Sequence, residues 1–136
     1  MPYYAVIYTN VLVSALLSKH SDSATVLVVD RIFDGTIIVL YSKEILDEYG
    51  EVLKRPKFKF DLRIVDALIS AVERNGILIE PGETGVTLPD MKDLPFYEVV
   101  LEKRDDGAYL VTGHIMHFPE EAFIVTPKEF LDIISG

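Results

Sequence analysis

The chain has 136 residues, 49% of them hydrophobic and 26% charged, the make-up of one globular domain that buries a core without covalent staples. It contains no cysteine, which excludes disulfides, thiolate metal sites and cysteine nucleophiles and is in keeping with a reducing cytoplasm. Against 13 Lys and Arg stand 22 Asp and Glu, a formal charge of −9, whereas a domain that grips nucleic acid by electrostatics alone should be basic. Contact with nucleic acid would therefore need a local basic patch or bound metal ions, and the acidity equally suits a basic protein partner.

The N-terminal Met1 to Ile7 lacks a basic leader and reads as a strand, so no signal peptide is expected. No apolar run approaches the roughly 20 residues of a membrane span; the runs are short and interrupted, as in Ile37 to Leu40 and Ile77 to Ile79.

In chain order, short β-branched runs alternate with longer helical patterns, as in a parallel sheet flanked by helices. Tyr3 to Tyr8 is the first strand, and Thr9-Asn10 offers capping side chains for a helix to about Leu17. Asp22 starts a second helix that Asp34-Gly35 ends, and Thr36 to Leu40 is the second strand. Ser42 opens a helix to about Lys54, where Arg55-Pro56 breaks it and Phe58-Lys59-Phe60 makes a loop. Asp61 opens the next helix, Asn75-Gly76 closes it, and Ile77 to Ile79 is a brief strand. Pro81 to Pro89 is loop, and Asp90 or Asp93 starts a helix through Lys103. Ala108 to Val111 and Phe123 to Val125 are strands, and Thr126-Pro127 starts the last helix. The pattern predicts a single domain, residues 1–136, around a parallel sheet of four or five strands. A flavodoxin-like sheet shares this alternation.

In such sheets ligands bind beyond the carboxyl ends of the strands, here Tyr8-Thr9-Asn10 and Thr112-Gly113-His114. Neither neighbourhood holds GxGxxG or a P-loop, no GxSxG elbow occurs, and Tyr8 stands where a receiver domain would carry acid. What remains is carboxylates. On the Ser42–Lys54 helix, Ile45, Leu46, Tyr49, Val52 and Leu53 form one apolar arc, Glu44, Asp47 and Glu51 point away, and Glu48 alone lies at its edge. Glu48 is either a boundary residue that reaches water or a cation, or a half-buried ligand. Asp93 lies in line with Tyr97 and Val100 on an apolar face. It is either a helix cap ahead of Pro95 or, if Asp90 is the cap, free to act as a ligand. His114 and His117, three apart, could share a helical face and are a weak metal signal, though such a pair is more often simply surface polar residues; nothing around His20 suggests a role.

With these residues placed, a family resemblance becomes visible. Tyr8-Thr9-Asn10-Val11 resembles the Asp-Thr-Asn-Val opening of PIN domains except at its first residue. Glu44 to Tyr49 followed by Val52 to Phe58, Asp90 to Phe96, Leu110 to His114, and Ile124 to Leu131 resemble the later blocks of the VapC-like toxin branch, in order. The resemblance implies a three-layer α/β/α sandwich and a Mg²⁺- or Mn²⁺-dependent endoribonuclease. Such a protein is often a toxin neutralised by a small antitoxin and often a homodimer, with RNA as substrate. Its carboxylates hold ions that activate water. Carried over, Glu48 and Asp93 are the catalytic carboxylates, Glu48, Asp90, Asp93 and His114 the metal ligands, and Asn10 and Thr112 the bracing residues. Tyr8 replaces the family's leading aspartate and His114 its later acid or amide. A neutral phenol does not replace a carboxylate for Mg²⁺, and imidazole suits Mn²⁺ better. Weak or no Mg²⁺ binding, somewhat better Mn²⁺ binding, and a cluster of Tyr8, Glu48, Asp93 and His114 at one end of the sheet are expected.

Overall fold

The computed structural model describes residues 2–136. Five strands form one wholly parallel sheet: β1 (Tyr3–Ile7), β2 (Ile37–Tyr41), β3 (Ile77–Leu78), β4 (Tyr109–Val111) and β5 (Ile124–Val125). Their order across the sheet is β3-β2-β1-β4-β5. Six helices complete an α/β/α sandwich: α1 (Thr9–Leu17), α2 (Ala24–Phe33), α3 (Lys43–Leu53), α4 (Leu62–Asn75), α5 (Leu94–Glu102) and α6 (Pro127–Ser135). Helices α1, α2 and α6 pack in sequence, α3 pairs with α4, and α5 lies against β1, β2 and β4. Among the described residues no helix is long and apolar enough to cross a membrane.

A parallel strand covered on both faces should be apolar throughout, and β1 is. Ala5, Val6 and Ile7 are fully buried, in register with Val39 of β2 and with Tyr109, Leu110 and Val111 of β4. The chain builds outward from β1 to β2 and β3, then crosses back to place β4 on the other side. The strand order thus reverses beside β1, and the carboxyl ends of β1 and β4 flank the crevice where open α/β sheets bind ligands.

Several local expectations shift. β1 ends at Ile7, because Tyr8 is the N-cap of α1; Thr9 and Asn10 are the first residues of that helix, and no side chain caps it. α2 begins at Ala24, two residues after Asp22, with Ser23 as N-cap. β2 takes in Tyr41, and β3, β4 and β5 are each one residue shorter than expected. The start of α5 involves both aspartates. Asp90 accepts from the Lys92 N–H and opens a 3-10 turn, Met91–Asp93, while Asp93 precedes α5 with its side chain uncommitted to any cap. Ser42, Asp61 and Thr126 do cap their helices with side-chain oxygens, Thr126 through a reciprocal capping box with Glu129.

Gly76, which ends α4 and leads into β3, has no room for a side chain. A β-carbon there would run into the carbonyl oxygens of Val72 and Val39. Those are backbone atoms of α4 and β2 and cannot swing away. Gly82, by contrast, has open space where a β-carbon would sit, with nothing within 4 Å. Gly76→Ala should therefore lower unfolding free energy by about 2 kcal/mol or more, and Gly82→Ala should change it by less than about 0.5 kcal/mol. Urea denaturation of both variants checks this; equal effects would contradict the close approach of α4 to β2.

Candidate functional site

The site grows from the two strand ends at the reversal point. The Tyr8 N–H donates to the Val111 carbonyl at 2.9 Å, carrying the β1–β4 pairing one residue beyond β1. From this position the Tyr8 hydroxyl donates to Asp93 Oδ1 at 2.7 Å. The other carboxylate oxygen, Oδ2, lies 3.0 Å from His117 Nδ1, which donates when it carries the proton. Asp93 is only 3% exposed. A carboxylate that deep needs donors on its oxygens to offset lost hydration, and Tyr8 and His117 supply one to each.

Glu48 approaches from the middle of α3 and accepts from the Thr9 hydroxyl. Ile45, Tyr49 and Leu53 anchor α3 in the core, which leaves Glu48 half-buried at the edge of the apolar face. The buried Tyr49 hydroxyl donates to the Ile7 carbonyl, tying α3 to the end of β1. Burial pushes the Glu48 carboxyl above its ordinary range and the negative charge of Asp93 adds to this, while the Thr9 hydrogen bond opposes it. The Tyr8 phenol is held well above its ordinary range, first by burial, then by its bond to Asp93, then by the charges of Asp93, Glu48 and Asp90. It is a neutral donor at neutral pH.

Aromatic rings enclose Tyr8. Phe96 and Phe118 meet it edge-on with centroids at 5.1 and 5.9 Å, and the His114 and His117 rings lie at 5.8 and 6.4 Å. His114 contacts the Asn10 amide through Nε2, and its backbone N–H donates to Thr112 Oγ1 at 2.9 Å. A groove of about 300 Å³ runs past Asn10, Ser14, Thr25, Gly113 and His114.

A family model described as PIN domain matches residues 4–115, most of the chain. The chain belongs to the PIN-domain family. No curated protein and no solved structure matches it. The VapC-like branch within the family rests on the sequence blocks alone.

In this PIN domain, Tyr8, Glu48 and Asp93 draw together at the carboxyl ends of the strands, joined by Thr9, Asn10, His114 and His117. Asp90 lies exposed at the periphery with its carboxylate on Lys92 N–H, and acts on Tyr8 only through its charge. Thr112 is fully buried and holds the His114 backbone. Sequence reasoning missed two residues. Thr9 reads as a helix cap, yet its hydroxyl turns to Glu48; no sequence signal marks that choice. His117 is visible in the sequence as the partner of His114 at a spacing of three, but the two share no helix. A 3-10 turn, Ile115–His117, separates their roles and sends His117 to Asp93.

The residues as arranged do not fit the divalent ion that the family resemblance implies. Both oxygens of Asp93 and one of Glu48 already hold donors, and the group that reaches Asp93 from the end of β1 is the neutral phenol of Tyr8. Among the described residues no three His, Asp or Glu side chains are grouped so as to hold a metal ion. A hard cation requires such oxygens free and converging.

The raised Glu48 carboxyl has a consequence for stability. A group whose folded pKa exceeds its unfolded value favours the folded state in its protonated form; that contribution is complete below the unfolded pKa and is lost as pH rises through the folded one. Glu48→Gln should therefore gain stability relative to the parent chain as pH rises above the ordinary carboxyl value of 4.5 and then level off. Urea denaturation across the acid range checks this. A difference that is flat with pH, or that falls, would contradict the buried placement of Glu48.

Proposed function

We propose that this protein is a nuclease-type PIN domain directed at RNA, in which Tyr8 holds metal-dependent cleavage at a low level. The observation that carries the reading is the Tyr8 hydroxyl on Asp93 at 2.7 Å, at the position where the family has its leading aspartate. Membership of the PIN family supports the RNA-directed chemistry. Glu48 and Asp93 are the carboxylates on which cleavage would depend, with Asn10 and Thr112 bracing and His114 at the rim. Asp90 would add charge from outside. Mn²⁺ is the better candidate ion than Mg²⁺, since imidazole is the extra donor within reach.

A second reading, a PIN-like binding module without catalysis, is favoured by the double engagement of Asp93 by Tyr8 and His117. The two readings differ in what lies beneath the phenol: a site that an aspartate would reopen, or one that no single residue restores. In either case the VapC-like blocks support a toxin-like protein, acting in the cytoplasm, with a small antitoxin and a second copy of the chain as protein partners. The net charge of −9 favours a basic antitoxin.

Cleavage of single-stranded and structured RNA with Mn²⁺, and again with chelator, tests the proposal. The parent chain should cleave little, and Tyr8→Asp should raise chelator-sensitive cleavage by orders of magnitude, an increase that Asp93→Asn in the same background abolishes. Strong chelator-sensitive cleavage by the parent chain would contradict the role given to Tyr8. No gain from Tyr8→Asp would leave the binding module as the reading.

A further inference from the structure

An acidic protein that acts on RNA needs somewhere for the strand to lie, and the positive charge of this chain is unevenly spread. Residues 54–63 hold Lys54, Arg55, Lys57, Lys59 and Arg63, five of the 13 Lys and Arg, with Asp61 alone among the 22 acids. This segment joins α3 to α4 and opens α4. Lys54, Arg55 and Arg63 each pair with a carboxylate, on Asp66, Glu51 and Asp61 respectively, all at the surface. Lys57 and Lys59 are exposed and form no ion pair among the described residues. Between and after them stand Phe58 and Phe60, half-buried, their rings stacked at 5.1 Å with 6° between the planes. The Lys57 ammonium sits 5.0 Å over the Phe58 ring.

We propose that the α3–α4 connection, through Lys57, Lys59, Phe58 and Phe60, is the docking surface for single-stranded RNA. Two kinds of contact are interleaved residue by residue, and each matches one part of a strand. Unneutralised ammonium groups meet phosphates and release their counterions, and when Lys57 leaves the Phe58 ring for a phosphate the stacked pair offers a flat π-face to an unstacked base, whatever its sequence. A duplex offers phosphates but keeps its bases stacked, so it can use only the first. An apolar protein partner would gain little from a surface on which cations alternate with the rings. The placement also serves the site. Glu48 lies on α3 six residues before its C-cap, Lys54, about 9 Å along the helix axis at about 1.5 Å per residue, so a strand held just beyond that end has its next nucleotides near the carboxylates. Elsewhere the acidic surface repels the strand, which confines it to this track. The proposal rests on the RNA-directed reading above but requires no cleavage.

Fluorescence anisotropy of the full chain with a labelled single-stranded RNA oligonucleotide and the matching duplex, in chelator, separates binding from catalysis. The parent chain should bind the single strand more tightly than the duplex. Lys57→Gln with Lys59→Gln changes exposed side chains only. It should weaken single-strand binding about tenfold near 0.1 M salt and reduce the slope of log affinity against log salt by about 1.4, two phosphates' worth. Phe58→Leu with Phe60→Leu should weaken the single strand about tenfold, leave the duplex and the salt slope unchanged, and keep the parent's circular dichroism. Lys128→Gln, on α6, should change neither. No RNA binding in chelator, no effect of the lysine pair, or an equal loss in Lys128→Gln would overturn the proposal, even if cleavage were found. Binding that follows these variants would sustain it, even if no cleavage could be restored.

Discussion

A carboxylate buried to the depth of Asp93 stays in a protein interior only when its oxygens have donors, and much of this site follows from how that demand is met. In a metal site a cation takes the place of such donors and satisfies several carboxylates at once. Here the donors are a phenol and an imidazole, Tyr8 to one oxygen and His117 to the other. The ring at the end of β1 thus does two things together. It brings no charge that an ion could use, and it satisfies the charge of Asp93 without one. The same burial keeps Tyr8 protonated, so the donor is not lost by ionisation, and the Asp93 charge makes its deprotonation harder still.

The surrounding fold is arranged around the reversal of strand order beside β1. That reversal opens a crevice between the ends of β1 and β4, which the turn before α5 fills with Asp93 and the 3-10 turn after β4 fills with His117. Tyr49 fixes α3 to the Ile7 carbonyl, and so fixes Glu48 one residue away to the same end. Glu48 is close enough to feel the charge of Asp93, and the Thr9 hydroxyl and the charge of Arg55 relieve it. Two carboxylates thus face one another across a neutral phenol. It is membership of the PIN family that points to nuclease-type function, not a set of free ligands in this arrangement.

Much of the architecture is legible without coordinates, because β-branched runs and helical periodicity are local properties. The parallel alternation, the Ser42 and Asp61 caps, the boundary position of Glu48 and the apolar arc beside it all follow from spacing. Strand ends are less legible. Tyr8 continues the ladder hydrogen bonding of β1 yet serves as the cap of α1, so composition alone cannot assign it. Within the site, what sequence conceals is pairing at a distance. Thr9 looks like a cap until Glu48, 39 positions away, is brought against it. His117 looks like a helical neighbour of His114 until the chain takes a 3-10 turn and reaches back 24 residues to Asp93. The ambiguity between Asp90 and Asp93 as caps resolves because a short turn fits between them: Asp90 caps that turn with its side chain, and Asp93 holds the N-cap position of α5 with its side chain turned elsewhere.

The decisive property of the site is whether Tyr8, through its bond to Asp93, stands in for the ion. Isothermal titration of Mn²⁺ and Mg²⁺ into the parent chain and into Tyr8→Asp measures that substitution directly, with no RNA present. The parent chain should give weak or no saturable binding of Mg²⁺ at millimolar concentration and at most slightly better binding of Mn²⁺, while Tyr8→Asp should bind both with defined stoichiometry. Tight, stoichiometric Mg²⁺ binding by the parent chain would contradict the account.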